Sequence, residues 1–430
     1  MMNQKKFLER YTYALEHDFT SPAGVPASWA PGHPKQWGQE KATIQLRQKI
    51  ECTPALSPDD LLLAIGVGED IHVYQVATQE RLQVLKGHSE MVKTVQFSSV
   101  MYDSANYVDG CYLLVSDSHD LSGEESPEVI LWELDKHGKL LSSRMEASEN
   151  TAGNLRFKGE LGDYGSPAFS PDGKTMIFLS QNQTTQNDED EGGEPREASL
   201  LPCVNIWSIE SRSMQHRLLG HTDSIQWTGI SPDNLRAASI AWDGTARIWD
   251  IISGACLHML GPFGGQLWCG AFSPDGEYLA ISQGNPKCQV HIYEISTERA
   301  VSSFDFHRMA RSIAWSIDGA AIACGADKGT LAIWDPYTGQ EQMRWSLAFE
   351  DPMMGFLAVV RGVRFLNRRK LIFQISEGTV NVYDFETNLK QQFTRRAQDK
   401  IEKFPRAEMV ASERLAIVPD SDGTIRFWDL

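Results

Sequence analysis

The chain has 430 residues, 41% hydrophobic and 23% charged, with a formal net charge of −17, a balance that rules out wholesale disorder. The negative surplus excludes broad, non-specific binding to nucleic acid, whose phosphates demand Lys and Arg, though it leaves room for a small basic patch. No apolar run approaches the roughly 20 residues that span a bilayer, and seven scattered cysteines without a CxxC pair (Cys52, Cys111, Cys203, Cys256, Cys269, Cys288 and Cys324) fit free thiols in a reducing compartment.

The first residues, Met1 to Lys6, lead into no apolar run, so no secretory signal is expected. From Asn3 to His17, Phe7, Leu8, Tyr11, Ala14 and Leu15 recur at helical spacing and predict a short helix. Residues 20–38 hold Pro22, Pro26, Pro31 and Pro34 and read as an extended linker, so residues 1–40 are set apart from a domain covering 41–430. Ala42 to Arg47 then alternates apolar and polar, the period of a half-buried strand.

Beyond residue 50 one pattern recurs: β-formers, an aromatic, a polar residue and an apolar one. Its aromatics are Tyr74, Trp132, Trp207, Trp249, Tyr293, Trp334, Tyr383 and Trp428, at intervals of 58, 75, 42, 44, 41, 49 and 45 residues. Most intervals match a four-stranded propeller blade, and the two long ones carry insertions. Upstream of these strands lie tight turns: Ser57-Pro58-Asp59-Asp60, Ser170-Pro171-Asp172-Gly173, Ser231-Pro232-Asp233-Asn234, Ser273-Pro274-Asp275-Gly276 and Ser316-Ile317-Asp318-Gly319. Pro presets φ at the first central turn position, and Asp, Asn and Gly suit the positions after it.

These residues resemble the tryptophan-aspartate (WD) repeat family over about residues 41–430. Residues 220–250, GHTDSIQWTGISPDNLRAASIAWDGTARIWD, carry its pattern almost throughout. The resemblance implies an all-β, WD-repeat β-propeller. In the family a buried hydrogen-bond chain braces each blade; here its matching residues are His221, Ser239, Asp243 and Trp249, in structural roles. Other blades depart from the pattern, so the full chain of four is expected only in this blade. Eight strand sets predict eight blades, with seven as the alternative if one degenerate set is something else. The last set ends at Leu430 without an outer strand, and residues 42–47 are expected to supply it, closing the ring and removing open sheet edges.

Insertions cluster at 117–128, at 146–162 and at 184–199, the last strongly acidic. All three belong to connections on one propeller face. The residues entering the inner strands point to the channel mouth on that face. They include Lys93, Gln226, Trp268, Arg311 and Arg361, with Trp242 in a turn beside them. Trp and Arg dominate binding hot spots because they combine contact area with directional donors. In the family this face often receives peptides. A locally basic, aromatic mouth predicts acidic or phosphorylated peptides as ligands, with the acidic 184–199 insertion able to compete.

Catalytic and cofactor motifs are weak. Gly173-Lys174-Thr175 lacks the first Gly of a phosphate loop, Ala168 standing there. Cys288 and His291 have ligand spacing but no second pair to complete a zinc site. The expectation is a non-catalytic protein-interaction scaffold with no cofactor or metal, intracellular in cytoplasm or nucleus, without a membrane partner, and able to join a larger complex as a subunit. One alternative is a substrate-recognition subunit of a ubiquitin ligase. The resemblance gives such members an Arg two residues after Trp-Asp, where this chain has Ile252 and Tyr337. A second is an RNA-associated assembly factor of the ribosome-biogenesis kind, whose one short basic run here is Asn367-Arg368-Arg369-Lys370. A propeller enzyme is the third.

Overall fold

A computed structural model describes residues 8, 11–104, 107–119, 127–141, 154–183, 200–396, 399 and 404–430. Strands gather into eight separate sheets in chain order, each an up-and-down antiparallel blade. Blade 1 runs from Ala55 to Leu85, blade 2 from Met91 to Lys158, blade 4 from Ile225 to Leu260 and blade 5 from Leu267 to Asp305. Blade 6 runs from Ala310 to Phe349 and blade 7 from Val360 to Thr394. Blade 8 joins Val410–Ala411, Leu415–Pro419 and Thr424–Asp429 to Ala42–Gln45 from the other end of the chain. Ile44 lies opposite Ile425 in that last pairing, so eight blades and closure by the early strand are both observed.

Blade 3 is the irregular one. Three regular strands, Thr175–Gln183, Leu200–Ser208 and Ser213–Leu219, are joined inside only by the bridges Phe169↔Met176 and Glu160↔Leu179 among the described residues. Pro167 has no N–H to give to a ladder. The Gln96 amide of blade 2 takes over, donating to the Ser166 carbonyl at 2.9 Å and accepting from the Ala168 N–H at 2.9 Å.

Each Ser-x-Asp turn repeats one hydrogen-bond unit. The serine hydroxyl donates to the aspartate carboxylate at 2.5–2.7 Å and accepts the N–H five residues on at 2.9–3.0 Å. The unit satisfies the turn locally, so it can recur in five blades with different cores. The cores lie between blades: apolar clusters join each neighbouring pair, and one unites blades 8 and 1. A blade therefore has no core of its own and depends on both neighbours.

The N-terminal segment departs from its expected helix. Tyr13–His17 is a strand, paired antiparallel with the outer strand of blade 6 so that Tyr13 faces Phe349 and Leu15 faces Leu347. Earlier in the predicted helix, Leu8, Tyr11 and Thr12 are described and Phe7 lies outside the described residues. Tyr11, Tyr13 and Leu15 also fit a period of two, and an open sheet edge with unpaired backbone groups decides between the periods. The Pro-rich segment is extended but docked: Ser28–Trp29 and Lys35–Gln36 run parallel to Leu389–Thr394, the outer strand of blade 7. Phe19 stacks on Tyr383 at 4.6 Å, and Trp37 lies between the guanidinium groups of Arg395 and Arg426 at 3.8 and 3.9 Å. The 184–199 insertion, with 120–126 and 146–153 of the other two, lies outside the described residues.

Candidate functional site

In blade 4 the Trp249 indole donates to the Ser239 hydroxyl at 2.9 Å. Ser239 lies 2.8 Å from His221 Nε2, and His221 Nδ1 lies 2.8 Å from Asp243. Burial pushes the Asp243 carboxyl up, but bonds from His221, Thr245 and the Thr222 N–H overcome it and hold the group well below the usual carboxylate range. Blade 2 repeats three of the members: Trp132 donates to Ser116 at 2.8 Å, and His88 Nε2 lies 2.6 Å from the same hydroxyl. The Gly87-His88 pair and Trp132 were its signal in the sequence. These chains brace their blades.

The channel mouth is built from the ends of inner strands and the turns between second and third strands, which emerge on one face. Trp242 and Trp268 meet edge to face at 5.2 Å. Gly284 makes room for Trp268: a Cβ there would sit 2.5 Å from the indole nitrogen. Both indole N–H groups are buried without a hydrogen-bond acceptor. The Arg311 guanidinium lies 4.7 Å from the Trp268 ring and donates to Asp327 at 3.1 Å.

Tyr164 completes the cluster, and sequence reasoning missed it. The link into blade 3 carries it across the mouth, where its ring meets Trp268 at 5.7 Å and its phenol oxygen accepts from Arg311 at 3.4 Å. Its φ is +52°, a costly left-handed value for a tyrosine. Anchors hold it there: the Asp163 N–H donates to the Gln226 carbonyl at 3.0 Å, and the Ser166 hydroxyl accepts the Thr228 N–H at 3.1 Å. Gly162 and Gly165 flanking an aromatic were the only hint in the sequence.

The six residues expected at the mouth divide. Trp242, Trp268 and Arg311 share one cluster. Gln226 is buried, its amide bonded to Ser224 at 2.9 Å, and its backbone holds the Tyr164 loop. Lys93 joins through that loop, 3.0 Å from Asp163 and 3.8 Å from Glu160. Arg361 turns elsewhere, to Ser376 and the Arg406 carbonyl, both at 3.4 Å.

Two of the cations expected at the mouth, Lys93 and Arg311, are paired with carboxylates. Burial alone would lower the Lys93 pKa, yet Asp163, Asp117 and Glu160 keep it above the usual lysine value. Asp117 is fully buried; desolvation pushes it up to about 6 against the pull of Lys93 and the Leu161 N–H. In the basic run at 367–370, Arg369 pairs with Asp384 and Glu386. Among the described residues no helix is long and apolar enough to cross a membrane.

The chain matches the family model described as WD domain, G-beta repeat, over residues 212–250 and 298–335. It is 24% identical over 151 residues to the WD repeat-containing protein VIP3 of Arabidopsis thaliana, covering 32% of this chain and 47% of that protein. It is 26% identical over 139 residues to the small ribosomal subunit protein RACK1y of Oryza sativa subsp. japonica, covering 30% and 40%. It is 26% identical over 170 residues to the U3 snoRNP-associated protein-like EMB2271 of Arabidopsis thaliana, covering 35% and 34%. The matches thus span less than half the length of these relatives. A crystal structure of the computationally designed protein Ika8 superimposes with a TM-score of 0.60 at 16% identity, covering 91% of this chain and all of that one. That likeness concerns the fold alone.

Proposed function

We propose that this chain, a WD-repeat β-propeller of eight blades, is a non-catalytic, intracellular scaffold that holds protein partners on the face bearing Trp242, Trp268, Tyr164 and Arg311. That cluster carries the reading. The link into blade 3, a turn of blade 4 and the inner strands of blades 5 and 6 meet there, so two indoles, a phenol and a guanidinium, all half-buried, share one cluster. Aromatic rings and Arg contribute most where they are preorganised at the centre of a patch, and the strained Tyr164 backbone is a feature found at binding sites. The names of two relatives, a small ribosomal subunit protein and a U3 snoRNP-associated one, add support for work inside larger assemblies.

An acidic or phosphorylated peptide, the ligand expected from residue types alone, would have to draw Lys93 from Asp163 and Arg311 from Asp327.

The test compares partners purified with the wild type and with a Trp242→Ala, Trp268→Ala, Arg311→Ala variant that still melts cooperatively. Partners lost only in the variant are the expected result. Identical partners in both would remove the function from this face.

A further inference from the structure

We propose that the segment received at this mouth is basic, a lysine or arginine side chain of the partner being held by the Tyr164 ring and the Asp163 and Glu160 carboxylates. This rests on the proposal that the mouth is the binding face.

Charge favours a cation. Lys93 is surrounded by Asp163, Glu160 and Asp117, and Arg311 is paired with Asp327. Carboxylates therefore outnumber cations here, within a chain of net charge −17. Asp163 and Glu160 keep 50% and 44% of their side-chain surface exposed, so a further cation can reach them without displacing anything. An incoming anion meets the opposite situation. It must detach Lys93 or Arg311 from its carboxylate, leaving negative charge uncompensated beside the fully buried Asp117, an unfavourable exchange at low local dielectric.

The aromatic residues point the same way independently of the acidic ones. Their cluster already stabilises a guanidinium, that of Arg311, 4.7 Å from the Trp268 ring and 3.4 Å from the Tyr164 oxygen. Ring faces attract cations through their quadrupole, most strongly where water is partly excluded. A partner's cation placed beside Tyr164 would meet its ring and, one residue away in the chain, the half-exposed Asp163 carboxylate.

The experiment measures fluorescence anisotropy of two short labelled peptides on the full chain, one of Arg and Lys spaced by Gly and Ser, the other with Glu and Asp in the same places. The basic peptide should bind more tightly. Asp163→Asn with Glu160→Gln should weaken it about tenfold. Glu80→Gln with Glu277→Gln, which removes the same charge from exposed turns on the opposite face, should leave it unchanged. Tighter binding of the acidic peptide overturns the proposal, as does equal weakening by both double variants, which would reduce the effect to overall charge. If neither peptide binds, the partners of the Trp242, Trp268 and Arg311 variant separate the two failures. Partners lost there keep the face and overturn its basic preference; partners retained overturn the face itself.

Discussion

Ser239 shows how much a single hydroxyl carries. It serves the Trp249 indole and the His221 imidazole at once, all three groups lying in the core. Ser239→Ala leaves the Trp249 N–H and His221 Nε2 without a partner, His221 keeping Asp243 at Nδ1, and an orphaned buried polar group costs about 1–3 kcal/mol. The variant should lose that much in urea unfolding, and Trp249→Phe in the same background should then cost less than it does alone, since the bond it removes is already gone. Two other histidines contribute most clearly to the acid response. His88 and His291 are each pushed down to about 4 by burial, with Arg156 adding to the effect at His88. Folded-state pKa values below the ordinary 6.5 mean the unfolded chain binds these protons first, so stability is full above 6.5 and falls as pH drops toward about 4. Urea unfolding across that range should show the decline, and His88→Gln with His291→Gln should flatten it. The blade 4 chain was legible in the sequence because its four members lie within one repeat. Tyr164 was not, because the arginine it meets is 147 positions away, and no periodicity encodes which blade a link reaches across a channel.

At the scale of elements, the N-terminal arm matters most. Tyr13–His17 covers the outer edge of blade 6, Ser28–Trp29 and Lys35–Gln36 cover that of blade 7, and Ala42–Gln45 completes blade 8. Trp37 fastens the last two together, buried and sandwiched by Arg395 and Arg426. Trp37→Ala should cost about 3–5 kcal/mol in urea unfolding, as truncation of a buried aromatic does. Removing residues 1–38 should do more than destabilise: it uncovers two strand edges, and light scattering should report association of the truncated chain at concentrations where the full chain stays dispersed. Composition made the extended character of residues 20–38 plain. It could not place the segment, because parallel pairing to residues 389–394 depends on an edge formed near the other end of the chain.

For the whole molecule, closure is the decisive feature. Apolar clusters sit between blades, and the one between blades 8 and 1 includes Ile44 beside Ile417 and Ile425. A ring whose last blade borrows its outer strand from the start of the chain unfolds as a unit only while that strand is in place. Ile44→Asp puts a charge into this core, so blades 8 and 1 should loosen before the rest. Calorimetry should show the single transition of the wild type broaden or split, and a single sharp transition at unchanged temperature would count against closure as the source of cooperativity.

The repeat, the blade count, the Ser-x-Asp turns, the blade 4 hydrogen-bond chain and the closing strand were all readable from the order of residues. Each depends on residues close together in the chain or on a pattern that returns every blade. Three features emerged only on folding: the first strand is a strand, the mouth's Lys93 and Arg311 are already paired, and Tyr164 spans the mouth. An open edge overrides a helical spacing, and a carboxylate neutralises a lysine from another blade, through contacts between residues that no local pattern relates.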